Sequence, residues 1–375
     1  MSKGYDVSRL EFLHSFLKRE IDKKAIYGGI YAIAQDGELI AADALGKQSF
    51  RDKDKRKLKP DAIFRIASIT KLFTAAAVFQ LVENGLCRLD EPMKNYLPEM
   101  DNEDFTSVTI AQALSHTGGL PVDEGVYPED GKPGAWELIG QEFADGGTDW
   151  VTAGLGVGRT VGQGTCWEYS SFGYSLLGEM VSRISGTHVH TYIEENILKP
   201  CGMVDSGFWN TIINHPDFSK RTVVYFEEME ESLKDLQPNT SPRAMIPKTG
   251  GGIYSTVADL VKFGNMLLSG GEIGGKRVLG RKAIEKMTAR YCDLPNYCWG
   301  AGGTPKYYGL GPDLSLGDLF LDSPGTYYHE GWGRCRLSMD PKEHFVSAYY
   351  LPLVTHEWDP IHAYNTQAIL CSGLK

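Results

Sequence analysis

The stretch "RIASITKLFTAAAVFQLVENG", residues 65–85, raises a question of both structure and chemistry. Its alanine-rich apolar run predicts a buried helix from about Ser68 to Gly85. Ser68 stands three residues before Lys71, so the two side chains would share one face of that helix. In one interpretation Ser68 only caps the helix and Lys71 only adds solubility. In the other, Ser68 is a nucleophile and Lys71 is its base.

The composition is that of a soluble globular protein. The chain has 375 residues, of which 42% are hydrophobic and 23% are charged, so it can bury a large core as one domain or two subdomains. The net charge is −10, and the one dense basic stretch, residues 51–59, is interleaved with aspartates. We therefore expect no nucleic-acid partner. No segment reaches the roughly 18 consecutive apolar residues of a membrane span, so we expect no membrane partner.

Residues 1–24 and the cysteines indicate the cellular compartment of the protein. Residues 1–24 carry charges throughout and read as an amphipathic helix, with Leu10, Leu13 and Leu17 on one face, and no signal peptide is recognised. The seven cysteines are scattered and contain no Cys-x-x-Cys pair, which is typical of reduced thiols rather than of a zinc site. We expect a cytoplasmic protein with no metal and no other cofactor.

The pattern of elements predicts an α+β fold. Two alternating runs in residues 28–46 flank Asp36-Gly37, a hairpin signal, and three strand-like runs fill residues 325–352. Helices are predicted at residues 170–186, 190–203, 255–271 and about 358–372, and long loops in the Gly-rich and acidic region 125–165. The simplest architecture is one antiparallel sheet built from both ends of the chain, flanked by terminal helices. Residues 1–66 and 245–375 would form this sheet subdomain, and residues 67–244 an inserted, mostly helical subdomain, with the active site at their junction.

Context separates Ser68 from a second Ser-x-x-Lys match. Ser15 and Lys18 have the same spacing but lie in the middle of the first amphipathic helix. Ser68 instead follows the β-like run "AIFRIA" and opens a helix, where backbone N–H groups and the helix dipole stabilise negative charge. A partly buried lysine can shift its pKa towards the role of a base. We therefore interpret Ser68 as the nucleophile and Lys71 as its base.

These residues carry a resemblance to a known family. "SITK" at 68–71, followed by "TAAAVFQLVENGLCRLDEPMKNYLP", resembles the serine β-lactamase and penicillin-binding-protein superfamily, in particular its class C and family VIII carboxylesterase-like esterase branch. Further stretches agree in order and spacing: "TIAQALSHTGGL", "WEYSSFGYSLLGEMVSRISG", "LKPCGM" and "GGGIYSTVADLVKF". The resemblance covers residues 10–372. It implies a β-lactamase-like fold and two-step acyl transfer through a serine acyl-enzyme.

The second family motif begins at Tyr169. The resemblance gives this phenol the task of exchanging a proton with Ser68, and we expect the nearby Lys71 to lower its pKa. The β-lactamase pattern is Tyr-x-Asn, whereas this chain reads Tyr169-Ser170-Ser171. In β-lactamases the asparagine contacts the substrate amide and the lysine. Its absence disfavours hydrolysis of β-lactams.

The third family motif has two candidate positions. A literal Lys-Thr-Gly occurs at residues 248–250, but it runs into a glycine turn and a helix start, so we interpret it as a turn. The strand-like "YYHEGWG" at 327–333 fits the His-x-Gly motif of the esterases. There His329 would polarise Tyr169 or donate to the substrate, and Gly331 would let the strand approach the substrate closely. The backbone N–H of Trp332, with that of Ser68, would form the oxyanion hole.

The remaining candidates weigh less. His188-x-His190 has no visible third ligand, so we do not assign a metal site there, and His116 is interpreted as structural. One set of aromatic residues could line an acyl pocket or could belong to the core. This set comprises Trp136, Trp150, Trp299, Tyr307 and Tyr308.

The predicted function is that of a carboxylesterase acting on a small-molecule acyl substrate. The alternatives are a transacylase of secondary metabolism, a D-amino-acid amidase or peptidase, and a weak β-lactamase. A catalytically inactive binding module is a different class of function, and the complete set of Ser68, Lys71 and Tyr169 argues against it. Specificity is expected to reside in the loops around residues 121–165 and 205–245.

Overall fold

A computed structural model describes residues 4–51, 53–123, 133–223, 246–317, 320–352 and 361–375. The subdomain boundary expected at 244/245, the loop at 224–245 and the start of the helix expected near residue 358 lie outside these residues. The division into two subdomains stays a prediction.

The elements below follow chain order. The helices are α1 Leu10–Asp22, α2 Thr70–Glu83, α3 Ile110–Leu114, α4 Ala135–Ala144, α5 Trp150–Leu155, α6 Ser171–Ser185, α7 Val189–Ile193, α8 Trp209–Ile212, α9 Phe218–Arg221, α10 Val257–Leu268, α11 Arg281–Thr288 and α12 Ile361–Cys371. The strands are β1 Gly28–Gln35, β2 Glu38–Gly46, β3 Phe64–Arg65, β4 Gly207–Phe208, β5 Ile253–Ser255, β6 Glu272–Ile273, β7 Lys276–Arg277, β8 Pro295–Asn296, β9 Thr304–Pro305, β10 Asp313–Leu314, β11 Tyr327–Gly331, β12 Cys335–Asp340 and β13 Phe345–Tyr350.

The main sheet joins strands from both ends of the chain. Its six strands follow the order β10-β11-β12-β13-β1-β2, and every neighbouring pair is antiparallel. The predicted hairpin at Asp36-Gly37 is confirmed. Both residues have positive φ, 52° and 83°, which is the geometry that a tight two-residue turn between twisted strands requires.

Both faces of this sheet are covered. Alternate residues of β1, such as Ile30 and Ala32, belong to the large core that includes α10. The intervening Tyr31 and Ile33 pack in a second cluster with side chains of α1 and α12. A strand buried on both faces carries apolar residues at successive positions, which explains why all eight residues of β1 are buried. The predicted antiparallel sheet flanked by terminal helices is confirmed.

Helix α2 is the centre of the helical part. Its residues from Thr70 to Leu81 are all buried, and it contacts α6, α7 and α11. A helix that is apolar all round needs neighbours on every side. Its three consecutive alanines keep it narrow enough for them to pack closely.

The expectation of long loops over residues 125–165 was wrong for part of that region. Helices α4 and α5 occupy much of it, and Trp136 and Trp150 pack with ring centroids 6.1 and 6.0 Å from that of Phe172. The glycines suggested loops, but Gly154 lies inside α5 because a Cβ there would overlap the Phe172 ring. Residues 124–132 lie outside the described part of the chain.

The site described next lies where the N-terminus of α2 meets β11. A second, three-stranded sheet of order β3-β5-β4 leads the chain into this junction. Within the residues that the structure describes, no helix combines the length and apolar character that crossing a membrane would require.

Candidate active site

Ser68 is presented by a strand-to-helix turn. Strand β3 pairs with β5, and a 3₁₀ turn, Ala67–Ile69, then leads directly into α2. Ala67 adopts a positive φ of 44°, which costs a non-glycine residue roughly 1–2 kcal/mol. The strained turn leaves Ser68 half-buried at the N-terminus of α2, where backbone N–H groups face developing negative charge.

Lys71 is buried beneath Ser68. Its Nζ lies 3.2 Å from Ser68 Oγ, 2.9 Å from Ser171 Oγ and 2.7 Å from the Gly250 carbonyl oxygen. The side chain is fully buried. Burial lowers its pKa to about 7, partly opposed by the negative charge of Asp123. A substantial fraction of the amine is therefore neutral at neutral pH and able to accept a proton from Ser68.

Tyr169 completes this group. Its phenol is hydrogen-bonded to the Ser68 hydroxyl, and Lys71 Nζ lies 4.5 Å from the centre of its ring. The prediction that Lys71 lowers the pKa of Tyr169 was wrong. Burial, reinforced by the charge of Asp123, raises that pKa well above its usual value. Tyr169 is a neutral phenol at neutral pH, which suits it to relay protons, and the free amine of Lys71 is the stronger candidate for the base.

His116 positions the backbone on both sides of Tyr169. Its carbonyl oxygen accepts the N–H of Glu168 at 2.8 Å, and its Nδ1 accepts the N–H of Ser170 at 3.1 Å. Burial lowers the pKa of His116 well below its usual value, so the ring is neutral and its proton is on Nε2. The structural role expected for His116 thus includes holding Tyr169 in place. His116 is visible in the motif "LSHTGGL". Its contacts with the backbone around Tyr169 could not be read from the motif, because they join segments about fifty residues apart.

Ser171 stands where the β-lactamase pattern has asparagine. Its Oγ contacts Lys71 Nζ, and its backbone N–H donates to Asp123 Oδ1 at 2.7 Å. The contact with the lysine is therefore kept by a hydroxyl, while the amide group of an asparagine is absent. Sequence reasoning noted the substitution but identified neither contact, and it missed Asp123.

Strand β11 runs beside Ser68. A Cβ on Gly331 would overlap the Ile66 carbonyl oxygen and Cys335 Sγ and would lie 3.2 Å from Ala67 Cβ. Only glycine permits this approach, and it brings the following backbone N–H, that of Trp332, to the same end of the strand. By contrast, residues 249–251 form a turn, which agrees with the interpretation of the literal Lys-Thr-Gly.

His329 lies in β11, and its ring nitrogens contact Tyr308 and Glu330. Its Nδ1 is 2.6 Å from the Glu330 carbonyl oxygen, and its Nε2 is 3.3 Å from the Tyr308 hydroxyl. The rings of His329 and Tyr169 are 6.5 Å apart. Burial lowers the pKa of His329 to about 4, so the imidazole is neutral. Its predicted action on Tyr169 or the substrate stays a prediction, and the direct polar contact in this structure is with Tyr308.

The aromatic residues that the sequence assigned either to an acyl pocket or to the core lie in different environments. Trp299 is 59% exposed, and its ring centre lies 5.2 Å from that of Tyr169, so it borders the site. Trp150 and Tyr308 are buried, Trp136 packs against the core, and Tyr307 is half-buried beside Arg290.

The histidine pair at 188–190 is engaged in local contacts. His190 Nε2 accepts the backbone N–H of Lys248 at 2.9 Å, and His188 Nδ1 accepts the N–H of His190. Across the described ranges, no group of three or more His, Cys, Asp or Glu side chains is placed to hold a metal ion.

Gly331→Ala is expected to destabilise the protein by about 1–3 kcal/mol and to lower ester turnover, because the added methyl pushes β11 away from Ser68. Chemical denaturation and steady-state rates would measure both effects. Gly251→Ala is the control for stability, since its Cβ would make only ordinary contacts, the nearest 3.5 Å from the Ala67 carbonyl carbon. Equal stability of the two variants would contradict the close approach at Gly331.

The rate of Ser68 acylation is expected to rise with pH through about 7 and then to level off. Lys71 accepts a proton only in its neutral form, and that form becomes dominant above its pKa of about 7. Pre-steady-state bursts of p-nitrophenol between pH 5.5 and 9 would measure this profile. A rate that is flat across this range would contradict the role of Lys71 as base.

The model of the Beta-lactamase family matches residues 13–367. Among curated proteins, the chain is 28% identical over 319 residues to the uncharacterized protein MT1414 of Mycobacterium tuberculosis (strain CDC 1551 / Oshkosh), covering 80% of this chain and 76% of that protein. It is also 28% identical over 206 residues to Esterase EstB of Burkholderia gladioli, covering 52% of this chain and 50% of EstB.

A solved structure shows the same fold. The crystal structure of a family VIII carboxylesterase matches with a TM-score of 0.71 at 20% sequence identity, covering 98% of this chain and 99% of that chain. The β-lactamase-like fold predicted from the sequence motifs is confirmed.

Proposed function

The chain belongs to the beta-lactamase family of serine hydrolases, and we propose that within this family it is a carboxylesterase acting on a small ester. The observation that carries the proposal is the contact of a fully buried Lys71, whose pKa is about 7, with Ser68 Oγ at 3.2 Å. A hydroxyl next to a partly neutral amine at a helix N-terminus is an activated nucleophile.

The first half of the proposed reaction forms the acyl-enzyme. Ser68 Oγ bonds to the ester carbonyl carbon while its proton passes to Lys71 Nζ, directly or through the Tyr169 phenol. The carbonyl electron pair moves to oxygen, and this oxyanion faces the backbone N–H groups of Ser68 and Trp332. The intermediate then collapses, the bond to the alkoxide breaks, and the alcohol leaves with a proton returned through Tyr169.

The second half releases the acyl group. Water attacks the acyl carbon, its proton passes to the same base, and Ser68 leaves as a free hydroxyl. If another alcohol attacks instead, the enzyme is a transacylase, which is the main alternative. The chemistry of the residues is the same in both cases, and only the second nucleophile differs.

Two features favour esters over amides and β-lactams. Ser171 replaces the asparagine that holds the substrate amide in β-lactamases, and the side chain at the third motif is the neutral His329 instead of lysine. The similarity to Esterase EstB supports the same choice. A D-amino-acid amidase or peptidase and a weak β-lactamase remain as further alternatives.

We also propose that the protein works in the cytoplasm. All seven cysteines are buried as free thiols, which supports a reducing compartment.

The test is intact-protein mass spectrometry after exposure to p-nitrophenyl esters and to a penicillin, followed by peptide mapping of any adduct. Rapid turnover of short esters with a transient adduct on the Ser68 peptide is the expected result. Faster product formation with an added alcohol, yielding a new ester, would favour the transacylase. A lasting penicillin adduct without ester turnover would overturn the esterase proposal. Absence of any adduct or turnover would revive the inactive binding module.

A further inference from the structure

We propose that Asp123 gives the active site a preference for substrates that carry a positively charged amine near the scissile ester. This inference rests on the proposed esterase function and specifies its substrate class. The residues that carry it are Asp123, Ser171 and Lys71.

Asp123 belongs to the active site by position and by charge. One carboxylate oxygen accepts the N–H of Ser171, whose hydroxyl contacts Lys71 Nζ at 2.9 Å. The negative charge of Asp123 acts on both Lys71 and Tyr169. The carboxylate is therefore linked to Lys71 through one residue, Ser171, and it is partly accessible to solvent.

Asp123 is not needed to cap α6. The N-cap of this helix is Ser170, whose Oγ accepts the N–H of Gly173 at 2.9 Å. One oxygen of Asp123, Oδ1, accepts the N–H of Ser171, the residue after this N-cap. Among the described residues the other oxygen, Oδ2, has no hydrogen-bond or ion-pair partner. An ionised carboxylate accepts hydrogen bonds and donates none, so this oxygen is available to a donor.

The cations around the site make their contacts with groups other than Asp123. Arg65 Nε donates to the Gly251 carbonyl oxygen, and Lys306 is paired with Asp313. Lys71 is the nearest amine, but it is predominantly neutral above pH 7. Arg65 keeps its charge, but in the described part of the chain it contacts the Gly251 carbonyl and not Asp123, so the carboxylate remains open to a cationic substrate.

Ser171 stands where β-lactamases have asparagine, and this difference determines which substrates can interact with the Asp123 carboxylate. An asparagine would place a neutral amide, both donor and acceptor, between the substrate and Asp123. The shorter serine leaves the carboxylate as the dominant polar group at that place. A protonated amine gains a charge-assisted hydrogen bond from it, whereas the carboxylate of a penicillin or of a peptide C-terminus is repelled.

The amine could lie on either part of the ester, and matched substrates distinguish the two. Alanine methyl ester and methyl isobutyrate have the same shape and differ by an ammonium on the acyl group. Protonated 2-(dimethylamino)ethyl acetate and 3-methylbutyl acetate differ in the same way on the alcohol, because an N–H⁺ replaces a C–H. The readout is the ratio of kcat/KM for the charged substrate to that for its neutral partner, measured at pH 7 in low salt, where an α-amino group with a pKa of roughly 7.7–8.0 is mostly protonated.

We expect the wild-type ratio to exceed about 10 for one of the two pairs, and Asp123→Asn to lower it about 10- to 100-fold. Asparagine keeps an oxygen for the Ser171 N–H and removes only the charge. Any change in Lys71 basicity affects both substrates of a pair and cancels in the ratio. Asp149→Asn is the matched control, because Asp149 likewise accepts an N–H, that of Thr152, at the start of α5.

A second measurement avoids dependence on the variant. Raising the salt concentration from 20 to 500 mM should lower the wild-type ratio, since screening weakens an exposed ion pair. A wild-type ratio near or below one for both pairs would overturn the inference, and so would equal ratios in wild type and Asp123→Asn. Turnover of the neutral esters in that case would leave the esterase function standing. Failure of all four esters would instead reject the esterase function itself.

Discussion

Ser68→Ala is expected to lower kcat/KM for p-nitrophenyl esters by at least about 10⁴-fold and to abolish the acyl-enzyme. The methyl group has no electron pair to attack a carbonyl, so Lys71 and Tyr169 have no hydroxyl to activate. The fold should be retained, because Ser68 is half-buried and alanine fits the same turn. Steady-state rates and intact mass after ester exposure are the measurements.

The chain supplies its own control for this experiment. Ser15 and Lys18 repeat the Ser-x-x-Lys spacing inside α1, where Lys18 is exposed and paired with Asp22 at 2.7 Å. Ser15→Ala should keep wild-type rates and the adduct. Substantial ester turnover in Ser68→Ala, or an adduct on another serine, would show that Ser68 is not the nucleophile.

Local sequence patterns predicted the architecture well. The hairpin at Asp36-Gly37 and the helix after Ser68 depend on residues close in the chain, whose periodicity and turn chemistry are local. The contact between Ser68 and Lys71 follows from the same logic, because three residues of helix bring the two side chains to one face.

Contacts between distant segments could not be predicted in this way. Asp123 joins Ser171 across 48 residues, and His116 holds the segment around Tyr169 from more than fifty residues away. The pKa of Tyr169 was expected to fall because only the nearby lysine was considered. Its burial became visible only in the folded chain, where burial and the charge of Asp123 raise this pKa.

Lys71→Met is expected to lower acylation by about 10²–10⁴-fold and, unusually, to change stability in a pH-dependent way. In the unfolded chain a lysine has a pKa of about 10.4. In the folded protein burial lowers the pKa of Lys71 to about 7. Between these values the unfolded chain holds one more proton than the folded protein, so wild-type stability rises with pH in this window.

The size of this effect follows from the shift. The wild type should gain up to about 1.4 kcal/mol of unfolding free energy per pH unit from Lys71 between pH 7 and 10, a gain that methionine removes. The variant is therefore most stable relative to the wild type at or below pH 7, and this advantage shrinks as pH rises. Loss of the donor to the Gly250 carbonyl costs about 1–3 kcal/mol at any pH. The titration of Lys71 is therefore tested by how the difference in unfolding free energy between wild type and variant changes with pH, and not by the size of that difference at one pH.

Urea unfolding of wild type and Lys71→Met at half-unit steps from pH 6 to 9 would measure the slope. Groups present in both proteins cancel in the difference. Lys18→Met is the control, because it removes an exposed lysine from the second Ser-x-x-Lys and should leave the pH dependence of unfolding as in the wild type. A pH-independent difference for Lys71→Met would mean that Lys71 stays charged in the folded protein, and a charged amine cannot take the proton of Ser68.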